Sequence, residues 1–162
     1  MAVMNVTAGN KAILTLSNVN LASADPDSST GLVVPFMQDI TVNASTGVVR
    51  YKTLDSSSEK AFTTPSTNQI SLNCLVDEAT FFGVSNTTNS VINDGLFGAQ
   101  NNKTTVFFSV AFEGNTSGST FLQGQGFLSG LAPTASQDAA VFITPVTMRS
   151  MVILPRTQSS NK

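Results

Sequence analysis

The sequence contains no histidine and no tryptophan, and it has a single cysteine. Histidine is the commonest general base near neutral pH and the commonest neutral metal ligand, so its absence removes most acid–base and metal chemistry. A lone Cys74 excludes a disulfide within this chain and a thiolate cluster. These absences predict a protein that is not an enzyme, with no catalytic residue, no cofactor and no bound metal.

Charge is also scarce. Charged residues make up 11% of the 162 residues and the net charge is −2, whereas soluble domains average about 25% charged residues. Ser, Thr and Asn fill the gap and account for about a third of the chain. A surface so poor in charge suits a protein that buries much of it against copies of itself, or a protein adapted to a salty medium. The scattered basic residues argue against tight binding of DNA or RNA.

Long apolar runs are missing as well. No segment approaches the about 20 apolar residues of a membrane span, and the N-terminus lacks the pattern of a secretory signal. We therefore expect synthesis in a cytoplasm and no membrane association. The length fits a single domain over residues 11–154, preceded by a short N-terminal arm at 1–10 and followed by a polar tail at 155–162.

Short alternating apolar segments dominate what is present, and this alternation predicts β-strands. The predicted strands are 11–18, 32–43, 48–54, 69–76, 104–113, 120–131 and 139–154. Neighbouring strands are joined as hairpins, which favours a mostly β fold, an antiparallel β-sandwich or half-open barrel of about seven strands with one flanking α-helix. The predicted core face consists of Ile70, Leu72, Cys74, Val76, Val106, Phe108, Val110 and Phe112.

Two polar segments are predicted to lie outside the strands. Residues 43–47 (NASTG) have the composition of a turn between two strands. Residues 55–68 (DSSSEKAFTTPSTN) predict a long loop without strands, and loops of this length are usually functional or mobile. That loop carries Asp55, Glu59, Lys60, Ala61 and Phe62.

One helix is predicted, over residues 87–102. Thr88 or Asn89 would be its N-cap. Its apolar stripe would contain Val91, Ile92, Leu96 and Phe97. Two internal glycines each cost about 1 kcal/mol of helix propensity, so packing must hold the helix in place.

Candidate chemical motifs are weak. Residues 25–31 (DPDSSTG) resemble a calcium loop, but the glycine is one position late and the bidentate glutamate is absent. Asp77 and Glu78 are adjacent, so their side chains diverge and do not form an acid–base pair. The glycines near 124–130 lie within a strand pattern, where a phosphate-binding loop is not expected.

Several features follow one another between residues 67 and 154: a strand ISLNCLV, a helix around NSVINDGLFGAQ, a long strand TTVFFSVAFEG, a GNTSGS loop, a glycine-punctuated segment FLQGQGFLSGLAPTAS, an acidic step QDAA and a closing strand VFITPVTMRSMVIL. Taken together, this order resembles the tail tube proteins of tailed bacteriophages. The last strand of that family usually ends in an apolar step containing glycine, which MRSMVILPR lacks.

The resemblance implies six copies to a ring and rings stacked into a hollow tube. Inner sheets would join around a lumen through which viral DNA passes during ejection, without specific binding. The segment 55–68 matches the loop that stacks one ring on the next. The implied partners are the tail sheath, tape measure, baseplate and tail terminator proteins. The implied location is the tail of the virion, after assembly in the host cytoplasm.

Other functions stay open at this stage. The chain is compatible with another assembly protein, such as a capsid decoration or baseplate-hub protein, or with the tube subunit of a bacterial injection machine. A β-sandwich binding module, for example one for carbohydrate, is less favoured. Sugar sites usually present aromatic platforms, and this chain has no tryptophan and one tyrosine, Tyr51.

Overall fold

The computed structural model describes residues 12–18, 31–54, 58–84, 90–112, 120–134 and 143–157. Within these ranges the chain forms seven strands and two helices. In chain order they are β1 (Ile13–Ser17), β2 (Leu32–Val33), β3 (Met37–Tyr51), β4 (Lys60–Leu75), α1 (Glu78–Phe82), α2 (Ser90–Asn101), β5 (Thr105–Ala111), β6 (Thr120–Leu131) and β7 (Ile143–Thr157).

All seven strands belong to one sheet, in the order β2-β1-β5-β6-β7-β4-β3, and every pair is antiparallel. The sheet is not closed, because β2 and β3 at its two ends do not pair with each other. Three residues, 34–36, connect these end strands, and a link this short requires the sheet to roll up. The prediction of a mostly β fold with seven antiparallel strands and a half-open form is confirmed.

The link between the two ends of the sheet is held at both sides. The backbone N–H of Val34 donates to the carbonyl of Leu14 at 2.9 Å, and the N–H of Leu75 donates to the carbonyl of Phe36 at 3.3 Å. Phe36 has a φ of 52°, a left-handed conformation that is uncommon for a bulky residue. These contacts tie the β2 end of the sheet to the β3 end.

The apolar core lies on the inner face of the rolled sheet. Its largest fully buried side chains include Leu14, Leu16, Ile70, Val106, Phe108, Val110, Val146 and Met148, and helix α2 adds Val91, Leu96 and Ala99. Leu72 and Cys74 are also buried there, whereas Val76 lies beyond the end of β4 and Phe112 is half-buried against the core. Burial of each large apolar side chain contributes about 1.5–3 kcal/mol.

Part of the opposite face of β1, β5 and β6 is buried too, and this part contains polar side chains. Thr15, Ser109 and Gln123 occupy directly opposed positions on these three strands, and all three are buried. The hydroxyl oxygens of Thr15 and Ser109 and the Nε2 of Gln123 have no hydrogen-bond partner in the structure. An orphaned buried polar group costs about 1–3 kcal/mol, so this face stabilises the fold less than the inner face does.

The prediction of a turn at residues 43–47 is wrong. Strand β3 continues through this segment, and Asn43, Ala44, Ser45 and Thr46 all pair with residues of β4. The predicted strands 32–43 and 48–54 are therefore not two arms of a hairpin. The composition is typical of a turn, but cross-strand pairing with β4 holds the segment extended.

The prediction that 55–68 is free of strands is also wrong. Lys60, Ala61 and Phe62 lie in β4, which begins at Lys60 and runs to Leu75. The connection from β3 to β4 spans residues 52–59, and Glu59 is its last residue. Asp55 lies outside the described residues.

Strand β7 extends further than expected. It passes through Pro145 and continues past Pro155 to Thr157, so the predicted start of a polar tail at 155 is wrong. Beyond Ser150, β7 pairs with β6 alone, and proline is tolerated where a strand has one free side. The predicted N-terminal arm and residues 139–142 lie outside the described residues.

The helical region contains two helices where one was predicted. The short helix α1 is capped by Asp77, whose carboxylate accepts from the backbone N–H of Thr80 at 3.2 Å and from its hydroxyl at 3.1 Å. Helix α2 is kinked at Gly95, which has a φ of 63°. The predicted N-caps, Thr88 and Asn89, lie outside the described residues.

The kink at Gly95 breaks the predicted apolar stripe of α2. Val91 and Leu96 are buried and Ile92 packs against the core, but Phe97 is 49% exposed. A Cβ at Gly95 would lie 2.5 Å from the backbone nitrogen of Gly83. The glycine therefore allows α2 to approach the end of α1, and its non-helical backbone interrupts α2.

We expect Gly126→Ala to destabilise the fold by about 1–3 kcal/mol, because overpacking a filled site forces the backbone apart. Gly126 is buried in β6, and a Cβ there would meet the carbonyl oxygen of Arg149 and lie 3.0 Å from the Cα of Ser150. Urea unfolding measures the difference. Gly130→Ala is the matched control, since its Cβ would lie 3.9 Å from Thr147 and should change stability by at most about 0.5 kcal/mol. Equal effects at both positions would contradict the register of β6 and β7.

Candidate assembly surfaces

The β3–β4 hairpin is longer than the sheet that carries it. Strand β4 pairs with β7 from Leu75 back to Asn68, which lies opposite Ser150, and the pairing stops there. Beyond that point residues 44–51 of β3 and 60–67 of β4 pair only with each other. We call this two-stranded projection the ribbon.

One face of the ribbon is apolar and exposed. Val49 lies opposite Phe62, and Tyr51 lies opposite Lys60 on the same face. The rings of Tyr51 and Phe62 meet edge to face with centroids 6.0 Å apart, a favoured aromatic geometry. Phe62 is 54% exposed and Tyr51 45% exposed, so this aromatic pair lies in solvent in the isolated chain.

The other ribbon face and its tip complete the exposed surface. Val48 is 54% exposed opposite Thr63, and Leu54 at the tip is fully exposed. Arg50 and Glu59 form an ion pair of 3.7 Å between side chains that are more than half exposed. An exposed pair of this kind contributes at most about 1 kcal/mol.

The ribbon has little stability of its own and exposes unpaired strand edges. An isolated two-stranded hairpin is at best marginally stable in water, and an exposed strand edge offers unpaired N–H and C=O groups to another chain. Burying the aromatic face of the ribbon against a second molecule would stabilise the hairpin, and pairing of its edges with another chain would satisfy the free N–H and C=O groups. The ribbon is therefore a candidate interface with a second molecule.

A second exposed apolar surface lies where the two helices meet. Phe82 and Phe97 pack around the buried Phe81, with ring centroids 5.0 Å apart for Phe81 and Phe82 and 5.9 Å for Phe81 and Phe97. Phe82, Phe97 and Val84 are each about half exposed or more. We call these three residues the helix patch. Contiguous exposed apolar side chains of this kind mark interaction sites in soluble proteins.

The third surface is polar. On the outer side of β3, β4 and β7 lie three opposed rows of side chains, which are Asn43, Gln69 and Arg149, then Thr41, Ser71 and Thr147, then Asp39, Asn73 and Pro145. All nine side chains are exposed or half-buried. Asn73 donates to Asp39 from its side-chain nitrogen at 2.7 Å and from its backbone N–H at 3.2 Å. We call this surface the polar face.

Chemical sites are sparse in the part of the chain that the structure describes. No cluster of three or more His, Cys, Asp or Glu side chains there has a metal-binding arrangement. None of its helices has the length and apolarity needed to cross a membrane. An open depression of about 580 Å³ is lined by Lys103, Phe127, Ser129 and the C-terminal end of α2, and it brings together no acid and base.

The residues predicted for the 55–68 segment are only partly brought together. Glu59, Lys60, Ala61 and Phe62 lie along the ribbon, while Asp55 is outside the described residues. The sequence analysis missed Val49 and Tyr51, which complete the apolar face of the ribbon. The alternation of Val49 and Tyr51 in the segment VVRY can be recognised in the sequence, but the sequence does not show that these residues lie beside Phe62.

Comparison with known proteins rests on structure alone. No family model matches this chain, and no curated protein matches its sequence. Among solved structures, the SPP1 tail tube matches with a TM-score of 0.66 at 9% identity, over 96% of this chain and 81% of that one.

Two further structures extend this likeness. The tail of an empty gene transfer agent particle, solved with C6 symmetry, matches with a TM-score of 0.64 at 10% identity, over 95% of this chain and 100% of that one. The sheath–tube complex of the PVC extracellular contractile injection system matches with a TM-score of 0.61 at 11% identity, over 94% and 92%. The chain therefore has the tail tube fold, as its sequence resemblance predicted.

We expect Cys74 to resist thiol reagents in the folded protein. Its thiol is 2% exposed and lies 4.0 Å from the carbonyl oxygen of Thr144. Burial raises the pKa of the Cys74 thiol, so even less of the reactive thiolate is present at neutral pH. Ellman's reagent should label the native protein at least tenfold more slowly than the urea-unfolded protein. Equal labelling rates in the two states would contradict the position of Cys74 on the core face.

Proposed function

We propose that this chain is the main subunit of a tail tube, a structural protein of a virion tail and not an enzyme. The ribbon carries the proposal, because a projection with an exposed aromatic face needs a partner molecule. The likeness of the whole chain to subunits of three different tubes supports the same conclusion. The charge-poor surface predicted from the sequence agrees with extensive burial between copies.

Two kinds of contact would build the tube. Side by side, the free edge of β3 and the free part of β7 offer strand edges that neighbouring copies can pair, and a ring formed in this way removes both of these exposed edges. Six copies per ring are proposed, from the family resemblance and the C6 symmetry of the gene transfer agent tail. Between rings, the ribbon reaches from one ring to the next, where its aromatic face becomes buried.

The proposed role of the tube is to conduct viral DNA through its lumen during ejection. The tape measure, baseplate and tail terminator proteins are proposed partners at the ends of the tube, and a sheath is proposed as a partner only if the tail is contractile. Assembly is proposed to occur in the host cytoplasm.

A second candidate is the tube of a contractile injection machine. The likeness to the PVC tube favours it, with a TM-score of 0.61 against 0.66 for the SPP1 tail tube. The subunit contacts would be the same in both cases, and the two functions differ in what passes through the lumen. Nucleic acid in particles purified with this protein would identify the virion tail, and its absence would favour the injection machine.

We expect the purified protein to form hollow tubes or stacked rings when it is concentrated. Negative-stain electron microscopy and light scattering at rising protein concentration measure this directly. Copies that remain monomeric at every concentration, both alone and with preformed tube fragments as seeds, would contradict the proposal.

We expect Phe62→Ser to abolish tube growth while the subunit stays folded. Phe62 is 54% exposed and contacts Tyr51, so its replacement should lower the free energy of unfolding by about 1 kcal/mol, the size of an aromatic pair. The matched control is Thr63→Ser, which lies next to Phe62 on the other face of the ribbon and should leave tube growth unchanged. If Phe62→Ser polymerises at the wild-type rate, the ribbon does not join the rings.

A further inference from the structure

We propose that the ribbon of one copy docks on the helix patch of a copy in the adjoining ring. The inference rests on the proposed tube function, and it names the partner surface that buries the aromatic face of the ribbon. Three observations carry it: the positions of the two surfaces in the fold, their exposed apolar side chains, and their opposite charges.

The ribbon and the helix patch lie at opposite ends of the sheet. The ribbon leaves the sheet at Asn68, whereas α1 begins three residues after β4 ends at Leu75. Helix α2 ends at Asn101 and leads into β5 at Thr105. Because β4, β7, β6 and β5 are successive antiparallel neighbours, the start of β5 lies at the same end of the sheet as the end of β4. When copies are stacked in one direction, the ribbon end of each copy therefore meets the helix end of the next.

A tube that grows by stacking needs two different surfaces for this contact. A contact that does not close joins unlike surfaces on the two partners, and its repetition gives a filament. Two ribbons paired with each other would instead join like surfaces and close after two copies. The ribbon therefore needs a partner surface at the other end of the next copy, which is where the helix patch lies.

The aromatic pair of the ribbon reaches the end of the subunit. Phe62 lies six residues beyond Asn68 along β4, a distance of about 20 Å. The β6–β7 pair continues to a similar distance, because β7 runs seven residues past Ser150 to Thr157. The aromatic face is thus level with the end of the sheet, where a copy in the adjoining ring presents its helices.

Both surfaces are apolar and aromatic. Phe62 and Tyr51 on the ribbon are about half exposed, and so are Phe82 and Phe97 on the helix patch. Phe36 adds an exposed ring at the helix end, since its carbonyl accepts from the last residue of β4. Contact between the two surfaces removes apolar area of both copies from water, and aromatic residues are enriched at the centres of interfaces.

The two surfaces also carry opposite charge. Residues 77–101, which contain both helices, have three acidic residues and no basic residue. Residues 44–67 of the hairpin have three basic and two acidic residues, and one of the acids, Glu59, is paired with Arg50. Lys60 is exposed on the aromatic face of the ribbon. Complementary charge favours contact between ribbon and helix patch and disfavours contact between two helix patches.

Chemical cross-linking of assembled tubes tests this contact. Val49→Cys places a thiol on the aromatic face of the ribbon and Val84→Cys places one on the helix patch, where both native side chains are about half exposed. Tubes of the double variant are treated with a short bis-maleimide and separated on a denaturing gel. The two thiols of one chain lie at opposite ends of the sheet, so the reagent links only different chains. The matched controls are the two single variants and the unaltered chain, whose Cys74 is buried.

We expect the double variant to give a ladder that continues beyond the number of copies in one ring, because links from ring to ring do not close. The single variants should give single chains on the gel. Dimers from Val49→Cys alone would show that ribbons pair with each other. A ladder that stops at the copies of one ring would place the contact within a ring, and tubes without linked chains would show that the two surfaces lie apart. Each of these three results would overturn the proposal.

Charge reversal tests the same contact without cysteines and decides the matter if the double variant does not form tubes. Lys60→Glu should raise the protein concentration needed for tube growth about threefold, as expected for loss of an exposed ion pair. Asp94→Lys, in the helix that carries Phe97, should restore growth in the same chain. Arg149→Glu is the matched control, since Asp94→Lys should not correct a defect on the polar face.

An unchanged threshold for Lys60→Glu, or a raised threshold that Asp94→Lys does not lower, would overturn the proposal. Failure of the unaltered chain to form tubes is a separate result, since it contradicts the proposed function itself.

Discussion

The feature on which the rest of the structure depends is the length of the β3–β4 hairpin, which extends beyond the part that pairs with its neighbouring strand β7. Pairing between β4 and β7 ends at Asn68 and Ser150, and from there the hairpin has no neighbour in its own sheet. Its backbone edges and the aromatic pair of Tyr51 and Phe62 are then left to a second molecule. The rolled sheet with its apolar core supports this projection, and the assembly surfaces follow from it.

The sequence predicts well those elements whose stability comes from one buried face. In β5, Val106, Phe108 and Val110 alternate with other residues and all three are buried, so a period of two in the sequence reports directly on the core. The same is true of Ile70, Leu72 and Cys74 in β4. The tail tube resemblance includes both of these strands, and the fold agrees with it.

Most of the ribbon could not be predicted in this way, because neither of its faces is buried within the subunit, and only residues 48–51 fall within a predicted strand. Residues such as Ser45, Thr46, Thr63 and Ser66 show no apolar alternation, and their composition is typical of turns. They are extended because each strand of the hairpin pairs with the other. Cross-strand pairing between segments about 20 residues apart leaves no periodic pattern of apolar residues in the sequence. The prediction therefore followed the local composition, which is typical of turns.

Other differences arise at single residues where backbones come close. Gly95 interrupts α2, and Phe97, which the predicted apolar stripe places beside Leu96, is exposed. In β6, a register shift between Leu128 and Gly130 moves Leu131 to the side of the core. Both deviations depend on the neighbouring element, α1 in one case and β7 in the other, and local sequence does not encode them.

The central claim is that the ribbon is completed by another copy of the chain, and hydrogen–deuterium exchange tests it most directly. In the monomer, amides of residues 44–51 and 60–67 should exchange much faster than those of β5, since an unsupported hairpin opens easily. In the assembled protein the same ribbon amides should become protected to the level of the core strands. Ribbon amides that exchange at the same rate before and after assembly would contradict the account.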